Sequence, residues 1–313
     1  MTSVLGVEYC LPDEILTNEQ LAERFGKDEI DGVISVVGVE TRHIGGSAID
    51  LGYAAARRLM ARLGIYPDTI GLLIFVSESG DYRIPANACI LQEMLGLRND
   101  TICFDISMGC SGYPHALKVA DSLIRGEGWF KFLNDALIIN ADTITRFIDP
   151  TSRGLSCIHG NGAAATMLGD CSGASLSGEI VLSSLGSDGK GASAISLLNE
   201  NGEQYVHMDG AAVSHYMLKN IPRIIRETVE TDELSLLLLH QANQQITDSI
   251  YNALEIPKSK RFCFLKDVGN LSNASTPVLL AEAWSQGKIN HGDLVGLCAF
   301  GAGFSWGVTL LQF

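Results

Sequence analysis

Four almost unbroken apolar runs, Ile70–Val76, Ala136–Ala141, Leu234–Leu239 and Leu294–Phe300, constrain this chain more than any other feature. A strand with one wet face alternates apolar and polar residues, so runs of this kind predict strands covered on both sides. Helical patterns stand between and after them. Leu51, Ala55, Leu59 and Leu63 recur along one face of Asp50–Leu63, and Asn87–Leu95, Gln244–Leu254 and stretches beginning near Gly112 and Thr276 are also helical in pattern. Strand and helix in alternation predict an α/β protein with mostly parallel sheets. Val4–Cys10 reads as a first strand ended by Leu11-Pro12, and Thr101–Ile106 and Phe262–Leu265 as further strands. Thr17-Asn18-Glu19-Gln20 carries the capping residues of a helix start.

The second half of the chain repeats the order of the first. Ile102-Cys103-Phe104 followed by Gly109-Cys110-Ser111 is echoed by Phe262-Cys263-Phe264 followed by Gly269-Asn270. The expected organisation is two similar α/β halves, residues 1–172 and 173–313, joined near Gly169–Gly178. Ligands of such sheets bind beyond the carboxyl ends of the strands. Cys110, His240 and Asn270 each fall at or just after such an end.

Each of the three also has an ordinary reading. Most free cysteines are small buried hydrophobes, a lone histidine after a strand is most often structural, and Asn270 in Gly-Asn-x-Ser is a common turn former. Cys110, however, sits where strand gives way to helix. The first amides of a helix lack internal partners and carry partial positive charge, which favours the thiolate. Pro114 fits that first turn, where a missing N–H costs little. A nucleophile with two hydrogen-bond donors suits acyl transfer from a thioester, the donors stabilising an oxyanion. The small residues of Phe300-Gly301-Ala302-Gly303-Phe304 let backbone amides approach a ligand closely. A phosphate loop is the rival reading of that stretch, without a Walker lysine or the Gly-x-Gly-x-x-Gly spacing.

Composition narrows the class. With 313 residues, 46% of them hydrophobic and 19% charged, the chain can bury one large core or two. A formal net charge of −14 argues against nucleic acid and anionic membrane as main partners. Met1–Leu11 has neither the basic start nor the apolar run of a secretory signal, and no window reaches the roughly 18 to 20 apolar residues of a membrane span. Cys10, Cys89, Cys103, Cys110, Cys157, Cys171, Cys263 and Cys298 are scattered without a Cys-x-x-Cys pair. That pattern predicts no metal site and no disulfide framework, and a cytoplasmic location is expected.

Gly109-Cys110-Ser111-Gly112, Asp149-Pro150-Thr151-x-Arg153-Gly154, Met208-Asp209-Gly210, His240-Gln241-Ala242-Asn243, Gly269-Asn270-x-Ser-x-Ala-Ser and the end from Phe300 to Phe313 closely resemble β-ketoacyl-acyl carrier protein synthase III, in order and along essentially the whole chain. The resemblance implies the thiolase fold, with two pseudo-duplicated α/β halves in five αβαβα layers, usually as a homodimer. It also implies a cysteine acylated by an acyl-CoA, then a decarboxylative condensation with malonyl-acyl carrier protein that yields a 3-oxoacyl product. No bound cofactor is implied, since acyl-CoA and phosphopantetheine thioesters are the substrates. Carried over, Cys110, His240 and Asn270 are the catalytic residues, and the backbone amides of Cys110 and Ala302 form the oxyanion hole. Gly210, Ala242 and Asn243 line the pantetheine tunnel, Arg153 contacts the nucleotide, and Ile84 stands where the family has a residue reaching the partner subunit's acyl pocket. An acyltransferase passing the acyl group to another nucleophile without decarboxylation is the alternative on the same fold.

The departures from the family pattern concern the periphery of the site. Gly32 stands for an aromatic that sandwiches the CoA adenine, and Val36 for an arginine. His215 and Gln245 replace basic positions used to dock the carrier protein, leaving Lys258, Lys260 and Arg261 either as a substitute patch or as a solvated loop. Gly160-Asn161-Gly162 replaces Gly-Asp-Gly, and Pro114 and Ala302 are further substitutions. Together they point to a specialised-pathway paralogue whose starter could arrive on a carrier protein.

Overall fold

A computed structural model describes residues 2–126, 135–171, 175–200 and 203–313. The first half runs β1 (Ser3–Cys10), β2 (Glu14–Thr17), α1 (Asn18–Phe25), α2 (Lys27–Val37), β3 (Thr41–Ile44), α3 (Ala48–Leu63), β4 (Ile70–Val76), α4 (Asn87–Leu95), β5 (Ile102–Ile106), α5 (Gly112–Arg125), β6 (Asp135–Asp142), α6 (Arg153–Ile158) and β7 (Gly162–Gly169). The second runs β8 (Gly178–Ser187), β9 (Ile195–Glu200), β10 (Glu203–Met208), α7 (Gly210–Thr228), β11 (Leu236–Leu239), α8 (Gln244–Ala253), α9 (Leu265–Val268), α10 (Ser275–Ser285), β12 (Leu294–Gly301) and β13 (Ser305–Gln312). The expected boundary between 172 and 173 lies outside the described residues.

The apolar runs behave as two-faced strands. Along β4, Leu72, Ile74 and Val76 join a core with Tyr113 and Leu117 of α5 and Val278 and Leu279 of α10. The alternate residues Leu73 and Phe75 pack on Ala55 and Leu59 of α3 and Leu91 of α4, as the period of two requires. In the second half Leu236 and Leu238 of β11 face the shared central core, whereas Leu237 and Leu239 meet Met217 and Ile221 of α7 and Ile250 of α8. Helices α5 and α10 therefore form a middle layer between two sheet faces, with α3 and α4 outside one and α7 and α8 outside the other. This is the five-layered thiolase fold.

The strand order is β11-β12-β13-β8-β1-β7-β6-β4-β5. The halves join where β1 and β8 pair briefly at Ser3↔Glu179 and Val4↔Gly178. The expectation of mostly parallel sheets is corrected here. Among the described strands, parallel pairing is confined to β4 with β5, β4 with β6, and β11 with β12. Other pairs in this sheet are antiparallel, including β1 with β7 and β12 with β13. Strand β7, Gly-Ala-Ala-Ala-Thr-Met-Leu-Gly, carries no strand pattern of its own, because alanine and glycine are poor strand formers in isolation. Its small side chains fit a strand buried throughout. The return strand β13 pairs with β12 as β7 does with β6, so each half ends on an antiparallel pair.

Phe262–Leu265 is not a strand. A single parallel bridge ties Arg261 to Leu237, and Leu265 already opens α9. The Phe264 amide donates to the Gln241 side chain at 2.6 Å instead of to a neighbouring strand. The helix at Thr17 forms as its caps dictate. Thr17 Oγ1 accepts from the Gln20 amide at 3.3 Å, and Gln20 Oε1 accepts from the Thr17 amide at 2.8 Å, a reciprocal cap of the kind that stabilises a helix by about 1 kcal/mol. Among the described residues no helix is long and apolar enough to cross a membrane.

Candidate active site

Cys110 lies in the turn between β5 and α5, and Pro114 occupies the first turn of α5. The Gly112 amide closes the turn on Gly109 O at 2.7 Å. Ser111 Oγ holds Ser305 Oγ at 2.7 Å, which ties this turn to the start of β13. The β12–β13 turn then runs against the cysteine. A Cβ on Gly301 would stand 2.6 Å from Cys110 Cβ and 3.1 Å from Sγ, so only a glycine permits that approach. A Cβ on Gly307 would likewise stand 2.5 Å from Pro114, so proline at 114 and glycine at 307 fit one another.

His240 follows β11, its amide bonded to Cys298 O at 2.7 Å. The imidazole is buried edge-on to Phe300, with ring centroids 5.5 Å apart. Its Nδ1 is buried without a hydrogen-bond partner. Burial, with His159 nearby, pushes its pKa down to about 3, so the ring is neutral at ordinary pH. His159 is itself pushed down to about 4 by burial.

Asn270 sits between α9 and α10 on a backbone clamped to α6. Its amide donates to Ile158 O at 2.9 Å, and its carbonyl accepts from Gly160 N at 3.0 Å. Gly269 has φ +73°, and a Cβ there would stand 2.7 Å from Ile158 O, which explains the glycine. The Asn270 Oδ1 accepts from the Ser272 amide at 2.9 Å and Ser275 Oγ at 3.3 Å. With the oxygen occupied, Nδ2 has no protein acceptor among the described residues and remains a free donor.

The three side chains share one cavity of about 250 Å³. Its walls are largely apolar, including Ile144, Phe147, Met208, Val213 and Phe300, and Ala242, Asn243 and Ala302 also line it. Asn243 additionally caps α8 through Oδ1, which accepts from Ile246 N at 2.8 Å. Gly210 lines an adjoining recess that shares Ile158, Val206 and Met208 with the main cavity. Arg153 lies apart. Its guanidinium pairs with Glu29 beside a shallow depression that also contains Gly32 and Val36. Ile84, 88% exposed, does not reach the cavity of its own chain. His215 and Gln245 are exposed. In the basic loop, Lys260 Nζ donates to Asp232 O at 2.9 Å and Arg261 Nε to Ile256 O at 2.7 Å. Two of its three cations thus have local partners.

Two acidic residues that sequence reasoning missed stand beside Cys110. Glu78 follows β4 and lines the cavity. A Cβ on Gly109 would stand 2.0 Å from its carboxylate oxygen, so that glycine makes room for Glu78. Ser272 Oγ donates to Glu78 Oε1 at 2.5 Å. Asp142 ends β6 and is enclosed by donors: Ser77 Oγ at 2.9 Å, the Glu78 and Ser79 amides each at 3.0 Å, Ser79 Oγ at 2.6 Å and the Asn273 amide at 3.2 Å. The signal was available, since Ser77-Glu78-Ser79 is a polar trio directly after the run Ile70–Val76. It fills the same strand-end position as Cys110 and His240.

These neighbours reverse the electrostatic expectation for Cys110, the candidate nucleophile. Burial, then the charges of Glu78 and Asp142, push the Cys110 thiol up rather than down. The amides at the start of α5 act against a low-polarity enclosure and two carboxyl groups. Burial and Asp142 also hold Glu78 well above the ordinary carboxylate range. Cys110 therefore rests as a thiol, and its proton needs an acceptor when the sulfur reacts.

The chain is similar to known proteins along its full length. The family model described as 3-oxoacyl-[acyl-carrier-protein] synthase III matches residues 104–189, and the model of its C-terminal part matches residues 225–313. The β-ketoacyl-[acyl-carrier-protein] synthase III of Blochmanniella pennsylvanica is 34% identical, covering 100% of this chain and 99% of that protein. A 3-oxoacyl-(acyl-carrier protein) synthase from Burkholderia xenovorans superimposes with a TM-score of 0.90 at 29% identity, over 99% of this chain and 94% of that one. The priming β-ketosynthase of the R1128 polyketide pathway gives 0.90 at 25% identity, over 100% of this chain and 96% of that one. Fold and relatives together define a thiolase-fold condensing enzyme, a transferase acting on acyl thioesters. The chain belongs to the β-ketoacyl-[acyl-carrier-protein] synthase III family.

Proposed function

We propose that Cys110 takes an acyl group from a thioester and passes it to a carbon nucleophile generated by decarboxylation of malonyl-acyl carrier protein. The observation that carries this reading is the free Asn270 Nδ2 beside neutral His240 on the cavity that holds Cys110. In the first step Sγ attacks the donor carbonyl, the Cys110 and Ala302 amides stabilise the oxyanion, and the donor thiol leaves. In the second, malonyl thioester enters along Gly210, Ala242 and Asn243. Its carboxylate departs as carbon dioxide while His240 and Asn270 donate to the thioester oxygen of the enolate. A neutral imidazole suits a hydrogen-bond donor that gives up no proton. The enolate carbon attacks the acyl-cysteine and expels the Cys110 sulfur.

Transfer to an alcohol or amine needs no enolate donor, so the free Asn270 amide favours condensation over simple acyl transfer. Gly32, Val36 and the Arg153–Glu29 pair leave the nucleotide depression without an aromatic platform or an unpaired cation. These features favour a specialised paralogue with weak grip on the CoA nucleotide, and a carrier-bound starter as an additional donor. Exposed Ile84 and Tyr82 on one loop favour a homodimer, which Ile84→Glu should convert to monomer in light scattering.

The deciding experiment incubates the protein with a panel of acyl-CoAs and acyl carrier proteins, then adds malonyl-acyl carrier protein, reading intact mass and carbon dioxide. A Cys110 adduct consumed with release of carbon dioxide supports the condensing enzyme. An adduct transferred onward without carbon dioxide supports the acyltransferase instead.

A further inference from the structure

We propose that Glu78 is a proton-holding, positioning residue for the acylation of Cys110, acting through the hydroxyl of Ser272. This inference rests on the reading above that Cys110 is acylated. Among the described residues, the hydrogen-bond partner of Cys110 Sγ is Ser272 Oγ at 4.0 Å, a long contact of the kind that tightens when substrate fills a site. Ser272 Oγ in turn meets Glu78 Oε1 at 2.5 Å. Sulfur, hydroxyl and carboxyl thus form a continuous line from the nucleophile to a buried acid. Ser272 makes this contact from a left-handed conformation, φ +51°, which is strained for a non-glycine residue.

The alternative acceptor is less suited. No hydrogen bond joins His240 to Cys110 among the described residues, and its depressed basicity makes it a poor sink for a thiol proton. The groups facing Glu78 are Asp142 from β6, Cys110 from the β5–α5 turn and Ser272 from the segment after α9, with His240 and His159 across the cavity. Asp142 is the better solvated of the two acids, with donors on both oxygens. Among the described residues Glu78 has Ser272 as its one side-chain donor, so of the two acids Glu78 is the one whose carboxylate more readily takes up a proton. A carboxyl raised towards neutrality is matched to accepting and returning a proton.

The step balances without another reactant. As Sγ forms its bond to the donor carbonyl, the thiol proton passes to Ser272 Oγ and the serine's own proton to the Glu78 carboxylate. Collapse of the tetrahedral intermediate breaks the donor C–S bond. The proton returns from Glu78 through Ser272 to the leaving sulfur, so the donor departs as a thiol and Glu78 ends as a carboxylate.

The test follows single-turnover acylation of Cys110 by intact mass from about pH 5.5 to about pH 9 in the wild type, Glu78→Gln, Glu78→Asp and Ser272→Ala, each checked for an unchanged melting temperature. The relay requires ionised Glu78, so the wild-type rate should rise with pH through an inflection above the ordinary carboxylate range. Glu78→Gln and Ser272→Ala should lose that inflection and slow by about 100-fold, the low end for general-base loss, while Glu78→Asp keeps the inflection with part of the rate. A Glu78→Gln protein with the wild-type inflection and a rate within about threefold overturns the proposal. Alkylation of Cys110 by iodoacetamide needs no acyl donor. In Glu78→Gln its pH inflection should move down as a negative neighbour is lost, and an unmoved inflection also overturns the proposal. If no donor acylates the wild type, the proposed function fails, and the alkylation shift alone decides the role of Glu78.

Discussion

Gly301 and Cys110 touch backbone to side chain: a Cβ added at 301 would stand 2.6 Å from Cys110 Cβ. Gly301→Ala should therefore displace either the cysteine or the turn carrying Ala302. The overpacking should lower stability by about 1–3 kcal/mol. Acylation of Cys110 should fall further than stability explains, because the nucleophile and the Ala302 amide move relative to each other. Intact-mass acylation rates beside melting curves check this. A variant acylating at the wild-type rate would show that the turn is not part of the site.

Asn270 and Cys110 should separate by step. Asn270→Asp removes the free Nδ2 donor but keeps an oxygen for the Ser272 amide and leaves the thiol and its turn intact. Decarboxylation of the malonyl thioester should fall about 10²–10³-fold, the usual loss for one oxyanion donor, while the acyl-cysteine still forms within about threefold of the wild-type rate. Cys110→Ala should abolish the adduct altogether. Equal loss of both steps in Asn270→Asp would mean that the residue holds the fold, not the enolate.

His159 and His240 should make stability depend on pH. Both are buried and neutral, with pKa values pushed down to about 4 and about 3. Between those values and the unfolded value near 6.5, the unfolded chain binds more protons than the native one, so stability contributed by these groups is lost as pH falls. From pH 7 to pH 5 each should cost about 2 kcal/mol. Glu78 works in the opposite sense above its unfolded value, because its raised pKa favours the native state at low pH. The difference between wild type and a His159→Asn/His240→Asn variant isolates the histidines, since Glu78 is common to both. Between pH 7 and pH 5 that difference should shift against the wild type by about 4 kcal/mol in urea unfolding, and parallel pH profiles would refute it.

Much of this architecture was legible in the sequence because burial on both faces leaves a strong mark. Ile70–Val76 and Asn87–Leu95 form the elements their patterns predict, with the same limits. Elements with weak local preference were not legible. Strand β7 is built of alanines chosen for tight packing, and Phe262–Phe264 has strand-like residues but gives its ladder bond to Gln241. At the site, Cys110, His240 and Asn270 stood out because each follows an apolar run or a glycine. Glu78 was hidden by its ordinary type. A carboxylate after a strand is usually a solvated turn residue, and only the fold brings it to Ser272, 194 positions away. The same enclosure overturned the expectation of a ready thiolate, because helix position is visible in a sequence and the surrounding charge is not.

Arg153 bears on the donor. Its guanidinium pairs with Glu29, both of them substantially exposed, beside Gly32 and Val36 in the depression that the family resemblance assigns to the nucleotide. An exposed ion pair contributes little to stability, so Arg153→Ala should leave the melting temperature unchanged. What it removes is a cation able to leave Glu29 for a phosphate, a charge-assisted contact of about 1–3 kcal/mol at most. KM for an acyl-CoA should rise about 3- to 10-fold, with the acylation rate at saturation unchanged. An acyl-pantetheine donor, which lacks the nucleotide, should be used equally well by both proteins. Glu29→Ala should do the reverse, lowering KM for acyl-CoA by freeing the arginine. Steady acyl-CoA kinetics in both variants would mean that the nucleotide does not engage this depression, leaving carrier-bound acyl groups as the donors this site is shaped to receive.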